Sequence, residues 1–268
     1  MSSNSSQLIE RYLASQPQFD TSALLRLIVN GQALGWLEMP VASVLNQFDS
    51  RFALQTNTVV VELENPQLQD LMNAAALHLR ATGWIKVWRD ELYAVHPPIE
   101  NGQLDTTTTL FTLERGAFRR FGLCSKAVHI NGISHNGDLW LARRSPTKGI
   151  DPDKLDNLAA GGIPQGESAA ECVVRELAEE AGINQHIAQQ AVYIEQIRST
   201  RNEIDGTHDE ILYCYDLQLP AEVIPHNTDG EVAAFHCVSM AECAARLPEM
   251  TWDAGLVTAR LLTRLAST

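Results

Sequence analysis

GGIPQGESAAECVVRELAEEAGI, Gly161 to Ile183, decides how the chain is read. Ser168-Ala169-Ala170-Glu171 is a capping box, in which the serine and the acid each satisfy a free amide of a helix's first turn. The spacing therefore predicts a helix opening at Ser168. Gly182 supplies its stop, because glycine enters the left-handed cap conformation without a steric cost. Val173, Val174 and Leu177 form the apolar face. Glu176 and Glu180 lie one turn apart on one side, with Glu179 beside them. Like charges so placed destabilise a helix by about 0.2–0.5 kcal/mol per pair, and the negative end of the helix dipole adds to that. A cation should offset the repulsion, and a donor set made of oxygen alone favours Mg²⁺ or Mn²⁺ over zinc. A solvated acidic face with Arg175 as internal partner is the plain alternative, but it leaves the glycine-rich loop before the helix unexplained.

The residues also keep a fixed order: Gly161, five residues, Glu167, seven residues, Arg175-Glu176-Leu177, one residue, Glu179-Glu180, one residue, Gly182-Ile183. This resembles the signature of the Nudix hydrolases at every defined position. Seven fixed residue types would coincide by chance on the order of 10⁻⁸ per start point. The resemblance implies a fold and a set of roles. Glu176 and Glu180, with Glu179, would bind divalent metal, and the carbonyl of Ala160 would be a further ligand. Arg175 would be structural, paired with a glutamate such as Glu167, while Gly161 and Gly182 shape the loop and the helix end. Mg²⁺ or Mn²⁺ held there would neutralise a diphosphate and lower the pKa of a bound water. Glu176, Glu179, Glu180 and Glu210 are the candidate catalytic residues. The general base stays open between Glu179 inside the motif and Asp209, Glu210 or Glu231 outside it. Glu210 opens a strand after the polar loop Asn202 to Asp209.

Outward from the motif, Ala127 to Ile133 and Leu139 to Arg143 read as strands around the turn His135-Asn136-Gly137. Leu113 to Phe121 reads as a short basic helix. Val192 to Ile197, Ile211 to Leu217 and Val232 to Val238 read as later strands, and Ser239 opens the first of two C-terminal helices. Nearer the N-terminus, Gln7 to Ser15 has helical spacing, and Asn30-Gly31 between two apolar runs is a hairpin signal. Thr58 to Leu63 reads as a strand. Asn65-Pro66 reads as a helix start, with Leu68, Leu71, Met72, Ala75 and Leu79 following and Gly83 as stop. Trp84 to Trp88 and Glu91 to Val95 read as a hairpin turning at Arg89-Asp90. His96 to Thr109 has no apolar period, so a boundary is placed near residue 105. The fold class expected is α+β. A small N-terminal α+β domain, 1–105, serves specificity or dimerisation, and a Nudix α/β/α sandwich with a mixed sheet, 106–268, follows it.

The 268 residues carry 20 Lys and Arg against 33 Asp and Glu, a net charge of -13, with no basic patch, which disfavours a nucleic acid partner. No apolar run approaches the ~18 residues that span a bilayer, and no secretory signal is visible, so no membrane partner is expected and the location expected is cytoplasmic. Five widely spaced cysteines without a CxxC pair argue for free thiols rather than disulfides or a zinc site. A homodimer is adopted on the base rate for soluble enzymes.

A second resemblance narrows the substrate. LWLARRSPTKGIDPDKLDNLAAGGIPQGE, Leu139 to Glu167, together with Phe121-Gly122 and Val128 to Gly132, looks like the Nudix branch that occurs in fungi fused to thiamine pyrophosphokinase. Thr251 to Leu256 departs from that branch. The resemblance implies hydrolysis of thiamine diphosphate, or of its oxidised or damaged analogues, to the monophosphate. Arg143, Arg144 and Lys148 are candidates to hold the diphosphate. Trp36, Trp84, Trp88 and Trp140 are available as a wall for a ring. Two other readings stand beside it: a Nudix pyrophosphatase acting on ADP-ribose, NADH or a nucleotide sugar, and a Nudix-fold sensor that binds a diphosphate ligand without turnover.

Overall fold

Asn30 and Gly31 both take positive φ, 47° and 74°, which matches the turn to the right-handed twist of its strands. They join β1 (Leu24–Val29) to β2 (Gln32–Glu38) in the computed structural model, which describes residues 3–266. Helix α1 (Ser3–Ala14) precedes this hairpin; α2 (Met39–Phe48), β3 (Ala53–Leu54), β4 (Thr58–Val61) and α3 (Gln67–Ala81) follow it. The four strands form one sheet in the order β2-β1-β4-β3, with β1 and β4 parallel. Leu68, Leu71, Met72, Ala75 and Leu79 bury the inner face of α3 against it, as their spacing requires. Pro66 rather than Asn65 occupies the N-cap, and the Asn65 amide instead donates to the Leu110 carbonyl at 3.0 Å.

The hairpin expected at Arg89-Asp90 does not form. Residues 84–88 are not a strand, and β5 (Leu92–Val95) pairs antiparallel with β6 (Phe111–Glu114) instead. The stretch read as an interdomain break is thus the connection between two paired strands. The helix read over Leu113 to Phe121 shrinks to α4 (Phe118–Phe121), preceded by a 3₁₀ turn at Arg115–Ala117. The hydrophobic core of the first region runs on through Phe118, Phe121 and Leu123, past residue 105.

The second region is built on β7 (Ser125–Ile133), β8 (Leu139–Arg144), β9 (Leu155–Asp156), β10 (Ala159–Gly162), β11 (Val192–Glu203), β12 (Gly206–Gln218) and β13 (Val232–Val238). They make one mixed seven-stranded sheet with the path β11-β12-β7-β8-β13, on which β10 joins β7 and β9 joins β8. The β7–β12 pair is parallel and the rest antiparallel. Helix α5 (Ala169–Ala181) packs Cys172, Val173, Leu177 and Ala181 on Val128, Ile130 and Leu217 of one sheet face, and the short α6 (Gln185–Ala188) follows it. Helices α7 (Met240–Arg246) and α8 (Trp252–Ala266) cover other strands, so helices flank a mixed sheet as expected. Ile9 and Tyr12 of α1 also belong to this helix layer, so the first helix of the chain packs with the last ones. Gly255 permits that contact, because a Cβ there would lie 1.9 Å from the Tyr12 hydroxyl.

Candidate active site

Strand β10 and helix α5 meet at Gly161 and Glu176. A Cβ on Gly161 would fall 1.8 Å from Glu176 Oε1, so only glycine lets the strand lie against that carboxylate. Glu176 and Glu180 are 8% and 6% exposed, whereas Glu179 stands half-exposed beside them. The serine–glutamate box at Ser168 and Glu171 is fully formed, and Gly182 caps the helix in the left-handed region. These local devices fix the phase of α5 and hence which carboxylates are turned inward.

Electrostatics at this face are unusual for glutamates. Burial pushes the Glu180 carboxyl up to about 7, against the pull of Lys148 in the opposite direction. Burial also raises the Glu176 carboxyl, with Arg175 opposing. Glu180 Oε2 accepts from the Ala160 amide at 3.0 Å, and Lys148 Nζ stands 3.1 Å from Glu180 Oε1. Lys148 also pairs with Glu231. Arg175 forks onto Glu167, 2.8 Å to each oxygen, and reaches Glu176 at 2.6 Å and Glu179 at 3.1 Å. That fork ties the glycine-rich loop to the helix. Two buried carboxylates, a strand peptide at their side and a glycine cradle form an oxygen-only set suited to a hard divalent cation.

Beside this face opens a cleft of about 590 Å³ between the two regions. Ala160, Gly161 and Gly162 of β10 line it, as do Glu210, His208 and Asp253 of the second region and Trp84, Arg89 and Arg115 of the first. Glu210 is held by Ser125 Oγ at 2.7 Å. His208 Nε2 lies 3.2 Å from Asp253 Oδ2 and 3.9 Å from Glu210 Oε2. The three side chains are close enough to share a cation. The Asp253 oxygens, however, already accept from Arg201 at 2.8 and 3.1 Å and from Ser199 at 2.6 Å. Burial works against the Asp253 charge, and His208 and Arg201 override it, holding the carboxyl well below its ordinary value. A guanidinium already neutralises this carboxylate, as Arg175 and Lys148 do for Glu176 and Glu180, so what separates the trio from the α5 face is its imidazole, a nitrogen donor beside two oxygen donors.

The remaining expected site residues separate. Arg144 lines the cleft, but its donors go to Asp156 at 2.8 Å and to the carbonyls of Asp151 and Ile150. Arg143 donates to the Asp153 carbonyl at 2.7 Å and lies near Glu249. Both arginines hold the 150–156 loop, so the structure does not leave them as a free diphosphate clamp. Asp209 is consumed by a bidentate contact with Arg198, 2.8 and 2.6 Å, and by Thr200. Of the four tryptophans considered as a wall for a ring, Trp84 lines the cleft. Trp36 lies under Arg26, Trp88 under Arg80, and Trp140 packs on the core beside α5. Arg115, His208 and Asp253 were not legible beforehand, since each lies far in sequence from the motif. Four of the five cysteines are buried free thiols and Cys237 is exposed.

Comparison with known proteins gives the family. A family model described as NUDIX domain matches residues 126–261, and one described as a domain of unknown function (DUF4743) matches residues 5–125. The chain is 32% identical over 225 residues to "Nudix hydrolase 24, chloroplastic" of Arabidopsis thaliana, covering 81% of this chain and 60% of that protein. It is 30% identical over 233 residues to "Nudix hydrolase 20, chloroplastic" of the same plant, covering 81% and 61%. The chain thus spans about three-fifths of the length of these curated relatives. Among solved structures, DR0079 from Deinococcus radiodurans aligns with a TM-score of 0.47 at 19% identity, over 63% of this chain and 98% of that one. Among the described residues, no helix is long and apolar enough to cross a membrane.

Proposed function

Because the chain belongs to the Nudix family, we propose that it hydrolyses the diphosphate linkage of a small organic diphosphate with the aid of a divalent cation. The observation that carries this reading is the buried Glu176–Glu180 pair against the Ala160–Gly161 strand, held inward by helix phase and by the Arg175–Glu167 fork. Glu176 and Glu180, with the Ala160 carbonyl and Glu179 as further donors, would hold Mg²⁺ or Mn²⁺. Such an ion, when bound, screens the diphosphate charge and lowers the pKa of water. Arg175 keeps the loop and helix in register, and Lys148 compensates Glu180. Glu210, which accepts from Ser125 and lines the same cleft, would accept a proton from an attacking water in this reading. Asp209 is not, since Arg198 holds both its oxygens.

Thiamine diphosphate or a damaged analogue is the substrate this reading favours. Its support is the run Leu139 to Glu167, together with the half-buried Trp84, which lines the cleft with the Arg120 guanidinium 5.5 Å from the centre of its ring. The test is a panel of thiamine diphosphate, its oxo and oxy analogues, ADP-ribose, NADH and a nucleotide sugar, with Mg²⁺, read by product mass. Preference for the thiamine compounds is expected. Preference for a nucleotide would retain the metal site and discard the substrate. A thermal shift from one ligand with no turnover on any would replace hydrolysis with sensing.

A further inference from the structure

The first region places a pair of arginines in the cleft. Glu114, 3% exposed at the end of β6, accepts from the backbone amides of Arg89 at 2.7 Å, Glu91 at 3.1 Å and Gly116 at 3.3 Å. One buried carboxylate thus pins the 89–91 turn to the 114–116 turn and sets Arg89 beside Arg115. The Arg115 guanidinium lies 5.4 Å from the centre of the Tyr93 ring. The Tyr93 hydroxyl in turn abuts Gly162, where a Cβ would fall 1.6 Å away. The Gln165 amide donates to the Leu92 carbonyl at 2.8 Å, which ties the same strand to the loop before α5. Arg115 is therefore referenced to the Glu176–Glu180 face through two short connections.

Three other arginines of the cleft are committed: Arg120 to Glu38 at 3.0 Å and to the Trp84 carbonyl at 2.8 Å, Arg144 to Asp156 and two carbonyls, and Arg201 to Asp253 and Glu203. Arg119 gives Nη1 to Asp205 at 3.2 Å but lacks the tie to the Glu176–Glu180 face that Arg115 has through Tyr93. Arg115 uses only Nη1, on Glu91 at 3.0 Å, and among the described residues Arg89 has no carboxylate within ion-pair distance. Both side chains are exposed to the cleft. The guanidinium fork has five N–H donors and matches phosphate oxygens in pairs. We infer that Arg115, with Arg89 beside it, is a phosphate clamp that the first region contributes to the diphosphate of the substrate. The inference rests on the proposed hydrolase reading. It gives the two regions a shared site, with carboxylates for a cation on one and guanidinium donors for the anion on the other. It also moves the anion-holding role from Arg143 and Arg144, which secure a loop, to a part of the chain outside the 126–261 match.

The test uses the full chain with Mg²⁺ and methylenediphosphonate, a diphosphate surrogate whose P–C–P bridge resists hydrolysis and which carries no organic substituent on either phosphonate, titrated by calorimetry. Arg115→Ala should raise Kd roughly tenfold to a hundredfold, the range for losing hydrogen bonds to a charged group. Arg115→Lys should recover part of it, because charge returns without the fork. Arg89→Ala should give a smaller loss, and Arg51→Ala, which removes a charge outside the cleft, should give none. Should Arg115→Ala fail to fold, the Lys and Arg89 variants carry the test. A Kd within twofold of wild type for Arg115→Lys and Arg89→Ala, or for a folded Arg115→Ala, overturns the clamp. It leaves the hydrolase reading intact if the wild type binds in a Mg²⁺-dependent way. No Mg²⁺-dependent binding by the wild type overturns both.

Discussion

Replacing Glu180 by Gln should make the protein more stable without metal and far less active with it. The Glu180 carboxyl stands at about 7 in the folded chain, against an ordinary 4.5, chiefly because it is buried. Between those values the folded state keeps a proton that the unfolded state has released. Stability is therefore fully present below about pH 4.5 and is lost as pH rises through about 7. At about 1.4 kcal/mol per pH unit, the interval corresponds to about 3 kcal/mol above pH 8. Gln carries no charge to desolvate, and its carbonyl can still accept from the Ala160 amide. Lys148 loses one partner but retains Glu231. The net gain at pH 8 in EDTA should be about 1–3 kcal/mol, or roughly 2–10 °C in Tm for a chain of this size. It should vanish near pH 5. In Mg²⁺ the order should narrow or reverse, since the wild type gains a ligand that the variant binds weakly. Turnover should fall by about 10²–10⁴. Thermal unfolding at pH 5 and pH 8, in EDTA and in Mg²⁺, measures all of this beside a hydrolysis assay. A variant less stable than wild type at pH 8 in EDTA would refute the burial argument, and near wild-type turnover would refute the site.

Other perturbations address the cradle and the cleft. Gly161→Ala places a methyl 1.8 Å from Glu176 Oε1, so Glu176 must shift; kcat should fall by about 10²-fold, with a stability loss of about 1–3 kcal/mol by chemical denaturation. Unchanged kcat would show that the position of Glu176 is unimportant. Asp253→Ala leaves Arg201, 5% exposed, with Glu203 as its remaining ion-pair partner, and should destabilise by about 3–5 kcal/mol. A loss below about 1 kcal/mol in the denaturation midpoint would mean that the pair is hydrated.

The helix that carries Glu176 and Glu180 was legible in the sequence because everything defining it is local. The capping box spans four residues, the inward pair is one turn apart, and the glycine stop follows at once. The β1–β2 hairpin was legible for the same reason, since Asn-Gly sets its own turn. Two equally local patterns misled. Trp84 to Trp88 is a short run of apolar and aromatic residues next to the turn Arg89-Asp90, yet β5 found its partner in β6, because strand pairing is decided by which surfaces can be buried together and not by proximity in sequence. Arg143 and Arg144 have the chemistry of an anion site, yet the 150–156 loop carries carbonyls and carboxylates that take up their donors. Composition cannot distinguish a free guanidinium from a committed one. Charge, motif and helix phase together specified a metal-suited acidic face. Only the tertiary structure chose what surrounds it: Glu210 from a parallel strand neighbour, Asp253 from the last helix and Arg115 from the first region, each brought there by long-range packing that leaves no periodic trace in the chain.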